Sequence, residues 1–281
     1  MEIQISLSGL IKLPPNLVSN VQNLVRIKLL SYALYSTESS EYSEVHALIE
    51  RLMKEYNIEP IDFMAAMQHT ETNVDVSGLP KSYYKFMSLR DGIIIGLDNV
   101  NFKSAAYFSK PNKLFICTAS LRKYLFSKYT VFYRDLKSYF DELDATVLHE
   151  LTHYVQHNFL HEANKGMKSR YDSRKPDFDE DDYYSSQIEF DPTIKTEAAH
   201  LLEFCKRYYG AFRLEDSQIN ALVAYYVSAK SEAHTSKVVT PSIEVSKFFR
   251  SLKKVKPVAY KKAIKLFSTE FMRLYNQRFP R

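Results

Sequence analysis

Asp144-Ala145-Thr146-Val147-Leu148-His149-Glu150-Leu151-Thr152-His153-Tyr154-Val155-Gln156-His157-Asn158 is the stretch that decides how this chain is read. No Gly or Pro interrupts it. Val147, Leu148, Leu151, Tyr154 and Val155 supply an apolar flank, so a buried helix is expected from Asp144 to about Asn158. On a helix, His149 and His153 stand one turn apart and project from the same face. Two neutral imidazoles so placed can hold one Zn2+ at roughly 2.0–2.1 Å each. Glu150 is displaced by about 100° around the helix axis. It cannot share the imidazole positions, but it can take a proton from a water beside such an ion, as metal-assisted hydrolysis requires. A chance match to this pattern in a chain of this length is on the order of one in a hundred, which disfavours two accidental helix histidines. His157 extends the stripe by one turn, as a partner of the ligands, an extra ligand or an ordinary histidine.

Upstream of this helix the chain changes character. Tyr83–Leu89, Ile93–Leu97, Ala105–Phe108 and Lys113–Thr118 are short and rich in aromatic and branched residues. Turn formers separate them at Asp91-Gly92, Asp98-Asn99 and Pro111-Asn112, which reads as a small, mostly antiparallel sheet. Ile3, Ile5 and Leu7 alternate as in a short strand. Helices are expected after Pro15, near Glu41–Tyr56, after Thr118, near Lys195–Tyr209 and Asp216–Ala229, and as a pair divided at Pro257. Residues 162–186 are polar and aperiodic and read as a surface loop. The acidic run from Asp177 to Asp182 within them lacks the ligand order of an EF-hand. The expected class is α+β, mainly helical. One lobe covers 1–160, with N-terminal helices, sheet and the His149–His153 helix; a second, C-terminal helical lobe covers 161–281.

The composition, 45% hydrophobic and 25% charged over 281 residues, is that of a globular chain able to bury a sizeable core. Only six glycines argue against folds whose backbone cradles phosphate. Cys117 and Cys205 are too few and too far apart for a disulfide framework or a cysteine metal site, which points to a reducing compartment. The N-terminus shows no basic region followed by an apolar one, and no apolar run approaches the ~18–20 residues of a membrane span. A soluble, cytoplasmic protein without a membrane partner is therefore expected. Charge is unevenly spread. Residues 246–281 carry eleven Lys/Arg and one acid, Glu270, a local +10 in a chain whose net charge is +5. That tail is either a solvated helix face or a docking surface for nucleic acid or another polyanion.

A catalytic zinc usually takes three protein ligands and leaves one position open. Residues 154–163 do not carry a third His at the compact offset, although His161 is nearby, so a carboxylate from a later element is expected. Glu189, Asp191 and Glu197 are the candidates, each also explicable as an acid favoured near a helix N-terminus. His149-Glu150-Leu151-Thr152-His153 with a downstream Glu resembles the zincin superfamily of zinc metallopeptidases, of the type with a glutamate third ligand. More narrowly, Tyr184-Ser185-Ser186-Gln187-Ile188-Glu189-Phe190-Asp191 is similar to the second motif of small metallopeptidase-like proteins from phages and bacteria. There a Tyr precedes a Pro-x-Glu segment that opens a helix, and the Glu is the ligand. The resemblance covers about 50 residues, Asp144 to His200, and implies Glu189, 36 residues after His153. Gln187 stands where Pro is usual, and Pro192 where a small residue is. Pro192 suggests a helix beginning near it rather than running through Glu189, which keeps Glu197 open.

A zincin-like reading implies a zinc metallopeptidase with one Zn2+ per chain, Glu150 as general base, and a peptide or protein substrate. A donor for the developing oxyanion would come from Tyr183, Tyr184 or His200, candidates by position alone, of which Tyr184 is taken. The resemblance also implies an extended substrate held against a sheet edge, suggested as Lys113–Thr118. Three other readings compete: a non-catalytic zinc-binding protein, against which Glu150 argues; a nucleic-acid or virion-associated protein using the basic tail; and a hydrolase of non-peptide amides.

Overall fold

Leu136, Phe140, Leu143, Val147, Leu151 and Tyr154 are all buried, at intervals of three or four residues, as is Val155 beside the last. That periodicity runs well upstream of Asp144, and so does the helix. In the computed structural model it spans Tyr133–Phe159, rather than starting at Asp144. The structure describes residues 13, 15–61, 70–72, 93–98, 105–108, 113–126, 131–159, 181, 183, 187–210, 212–228 and 246–280.

In chain order the described elements are α1 (Pro15–Ser36), a 3-10 turn (Ser40–Tyr42), α2 (Ser43–Glu55), β1 (Thr70–Thr72), β2 (Ile93–Asp98), β3 (Ala105–Phe108) and β4 (Lys113–Cys117). They continue with α3 (Thr118–Leu125), α4 (Tyr133–Phe159), α5 (Gln187–Tyr209), α6 (Asp216–Val227), α7 (Lys247–Val255) and α8 (Pro257–Arg278). The class is α+β and mostly helical. The strands expected at residues 1–12 and at Tyr83–Leu89 lie outside the described residues, as does the loop 162–186 except for Asp181 and Tyr183. The described elements fall into two compact units, α1 to α4 with the sheet, and α5 to α8.

In the first unit, Leu17, Val21, Val25, Leu29 and Ala33 recur every fourth residue and bury one side of α1. Arg26 of α1 forms an ion pair with Asp144, and Gln22 Nε2 donates to the Asp144 carbonyl at 3.1 Å, fixing α1 against α4. The sheet order is β1-β2-β4-β3. β1 and β2 pair antiparallel, β3 and β4 pair antiparallel, and the central pair β2–β4 is parallel. The expectation of a mostly antiparallel sheet is therefore corrected at its centre. Parallel strands require the chain to return to the same end; β3 makes that return at the outer edge, and β4 then enters beside β2. Ile95 lies opposite Leu114, and Leu97 opposite Ile116. With side chains alternating along a strand, these four buried residues share one face. β4 is thus an interior strand with both backbone edges occupied, so the placement of substrate along Lys113–Thr118 is also corrected.

In the second unit α5 begins at Gln187, runs through Glu189 and holds Pro192 in its second turn. The expectation that Pro192 would mark the helix start is overturned. A proline this close to the N-terminus removes one hydrogen bond, to the carbonyl of residue 188. Burial of Phe190, Ile194, Ala198, Leu201 and Cys205 on the same helix outweighs it, at roughly 1.5–3 kcal/mol for each large apolar side chain. Gly210, at φ 63°, stops α5 in the left-handed conformation that a glycine adopts without strain. Glu215 and Gln218 form a reciprocal capping box at the start of α6, and Pro257 opens α8 at its first turn. The core of this unit is aromatic: Phe248, Phe249, Phe267, Phe271 and Tyr275 are fully buried. Tyr226 stacks on Phe267 at 5.4 Å.

Candidate metal centre

α4 positions the two histidines by burying the side opposite to them. Leu136, Phe140, Val147, Leu151 and Val155 face the core, and Thr152 is buried with its hydroxyl donating to the Leu148 carbonyl at 2.9 Å. His149, His153 and Gln156, at offsets of four and three, fall together on the other side. The imidazoles are half-buried, with centroids 4.8 Å apart and planes at 74°. Their Nε2 atoms are 3.1 Å apart, and His153 Nδ1 lies 2.9 Å from Gln156 Oε1.

An amide oxygen accepts, so His153 Nδ1 carries the proton and its Nε2 presents a lone pair. Across 3.1 Å from that lone pair, His149 Nε2 needs either a proton or a cation between the two rings. The 3.1 Å spacing is that of an ordinary ring–ring hydrogen bond, and it is also close to the separation of two ligands on one ion. Two donors on one tetrahedral ion at ~2.0–2.1 Å are separated by roughly 3.3 Å. Gln156 holds the tautomer and ring orientation of His153, as an outer partner would beside an imidazole that binds a metal. It stands in the stretch that opened the sequence reading and drew no role there. Its signal was only an amide three residues past a histidine, a spacing common on any helix.

Glu189 sits in the first turn of α5 and is 7% exposed. His149, His153 and Glu189 form a group in which each residue offers one ligand atom and all these atoms lie within 4.8 Å of one another. Two imidazole nitrogens and a carboxylate oxygen are a donor set suited to zinc. Neither of the other two carboxylates belongs to this group. Glu197 accepts a 2.5 Å hydrogen bond from the buried Tyr226 hydroxyl. Asp191 acts on Lys195, one turn along α5. Burial pushes the Lys195 ammonium down to about 8, with Asp191 and Glu270 opposing the fall.

Glu150 is half-buried on α4, beside the histidine face rather than on it. Tyr184 and the side chain of His157 lie outside the described residues. Tyr183 is half-buried, and His200 is exposed on α5. Asp181 accepts from the Ser251 hydroxyl at 2.6 Å and pairs with Lys254. Comparison of the chain with protein-family models, with curated proteins and with solved structures finds no match in any of the three.

Proposed function

We propose that the protein is a zinc-dependent metallopeptidase whose ligands are His149, His153 and Glu189 and whose general base is Glu150. The observation that carries this reading is the three-residue donor group, whose two Nε2 atoms, 3.1 Å apart, stand near the ~3.3 Å of two donors on one tetrahedral ion. Bound there, Zn2+ would supply Lewis acidity and make a neighbouring water acidic near neutral pH. Glu150 takes the proton from that water and returns it to the leaving amine. Gln156 keeps His153 Nε2 directed at the ligand position. Tyr184 is the proposed donor to the oxyanion. Among the described strands β1 and β3 form the sheet edges, and β3 packs beside α4. An extended peptide laid along β3 would find main-chain partners next to the histidine-bearing helix.

The first test is zinc content by elemental analysis of the wild type and the His149→Ala/His153→Ala double variant, both purified without chelator. About one zinc per chain is expected in the wild type and none in the variant. Peptide hydrolysis is then compared with Glu150→Gln, which should keep its zinc and lose about 10²–10⁴-fold in rate. Absence of zinc from the wild type even after reloading defeats the proposal. Zinc without any peptide cleavage that depends on Glu150 would leave a metal-binding protein that is not a peptidase.

A further inference from the structure

Between Lys247 and Lys265 the sequence holds eight cations and no acid, and seven of the eight are lysines. The fold sorts them. On α7, Phe248, Phe249, Ser251 and Leu252 are buried, while Lys247, Arg250, Lys253 and Lys254 are exposed on the opposite side. On α8, Ala263, Phe267, Phe271 and Tyr275 are buried, Val258, Lys261 and Lys265 are exposed, and Lys262 is half-exposed. The two helices pack on each other and are divided at Lys256-Pro257. Their corner carries two exposed aliphatic side chains, Val255 at 41% and Val258 at 83%.

We infer that the α7–α8 corner is a docking surface for an anionic lipid headgroup layer, with lysines on the headgroups and Val255 and Val258 in the boundary beneath them. A polyanion of any kind would satisfy the charge. The valines decide between kinds. Against nucleic-acid phosphates two protruding aliphatic groups gain nothing, whereas at a bilayer surface they leave water together with the lysine stems. A nucleic-acid surface gains from guanidinium forks and aromatic platforms, and here Arg250 is the lone guanidinium between Lys247 and Lys265. The neighbouring Tyr260 is turned inward, donating to the Val227 carbonyl at 2.7 Å with Lys253 over its ring. The corner already draws one anion, since Asp181 pairs with Lys254, whose side chain stays largely exposed. The early expectation of no membrane partner followed from the lack of an apolar span. Among the described residues no helix is long and apolar enough to cross a membrane, a fact that bears on crossing a bilayer and not on resting against one.

The test is co-sedimentation of the full chain with phosphatidylcholine vesicles, with and without phosphatidylglycerol, beside fluorescence-anisotropy titration of a duplex oligonucleotide. Binding is expected only where phosphatidylglycerol is present. Val255→Ser/Val258→Ser should weaken it several-fold and leave any oligonucleotide affinity unchanged. Asp181→Asn, which keeps a partner for Ser251, should strengthen it about fivefold, the worth of one charge at such a surface. Replacing Lys247, Arg250, Lys261 and Lys265 by Ser should abolish it. If that variant does not fold by circular dichroism, the valine and Asp181 variants carry the decision. Oligonucleotide binding without vesicle binding, vesicle binding indifferent to the valines, or no binding to either would each overturn the inference.

Discussion

At the scale of single residues, the informative contact is the 2.9 Å one between His153 Nδ1 and Gln156 Oε1. An imidazole free to flip or change tautomer presents its lone pair to a metal only part of the time. An acceptor on the far nitrogen removes that freedom, and loss of such partners typically costs 10–100-fold in affinity. Gln156→Ala should therefore weaken zinc binding by about 10–100-fold in a chelator competition assay. Gln156→Glu, which keeps the acceptor, should restore most of it. Equal weakening in both variants would mean that the buried Gln156 side chain matters for packing alone. The histidine pair itself was legible because its geometry is fixed within one helical turn. Glu189 was reached only by resemblance. Thirty-six residues separate it from His153, and nothing in local periodicity encodes which of Glu189, Asp191 and Glu197 would complete a ligand set.

At the scale of elements, the sequence marks where strands lie better than how they pair. The ranges expected for β2, β3 and β4 hold to within a residue, but the order β1-β2-β4-β3 depends on where the chain returns, which no strand carries in its own sequence. The early start of α5 was hidden by treating Pro192 as a boundary, when one missing hydrogen bond near a helix end is outweighed by a buried apolar face. α5 packs closely on α8, and this packing encloses Lys195 among Asp191, Glu270 and Arg273. Burial outweighs the two carboxylates and lowers the Lys195 pKa from 10.5 to about 8. Below about pH 8 both folded and unfolded chains hold the proton, and the folded one bears the burial cost. Between about pH 8 and 10.5 the unfolded chain binds more protons, so this group's contribution to stability rises with pH. Lys195→Met should accordingly be more stable than wild type near neutral pH, and its advantage should shrink as pH climbs through that window. Denaturant melts of both proteins across a pH series measure the difference. A gap that stays constant with pH would show that Lys195 does not titrate there.

At the scale of the whole molecule, a ligand that binds the folded chain and not the unfolded one stabilises it by mass action. In the unfolded chain His149 and His153 keep their sequence proximity, but Glu189 is reached only by closing a long loop, and the His153 tautomer is no longer held. The folded chain has all three donor atoms within 4.8 Å. Zinc should therefore favour the folded state by about 2.7 kcal/mol at a hundred times its dissociation constant. For a chain of 281 residues that is a rise of several degrees in Tm. Six of the eight histidines lie outside the pair and offer weaker zinc sites elsewhere, in both states. The meaningful quantity is thus the difference between wild type and variants at the same zinc concentration. His149→Ala/His153→Ala should lose the rise entirely and Glu189→Gln most of it. Glu150→Gln should retain it, because a general base contributes to turnover and not to holding the ion. Chelator added to the wild type should return its Tm to that of the double variant, allowing for the small intrinsic effect of the two alanines. A zinc-induced rise of equal size in wild type and double variant would place the ion elsewhere on the molecule. A rise lost in Glu150→Gln as well would make Glu150 a ligand, and the division between two gripping imidazoles and one proton-carrying carboxylate would have to be redrawn.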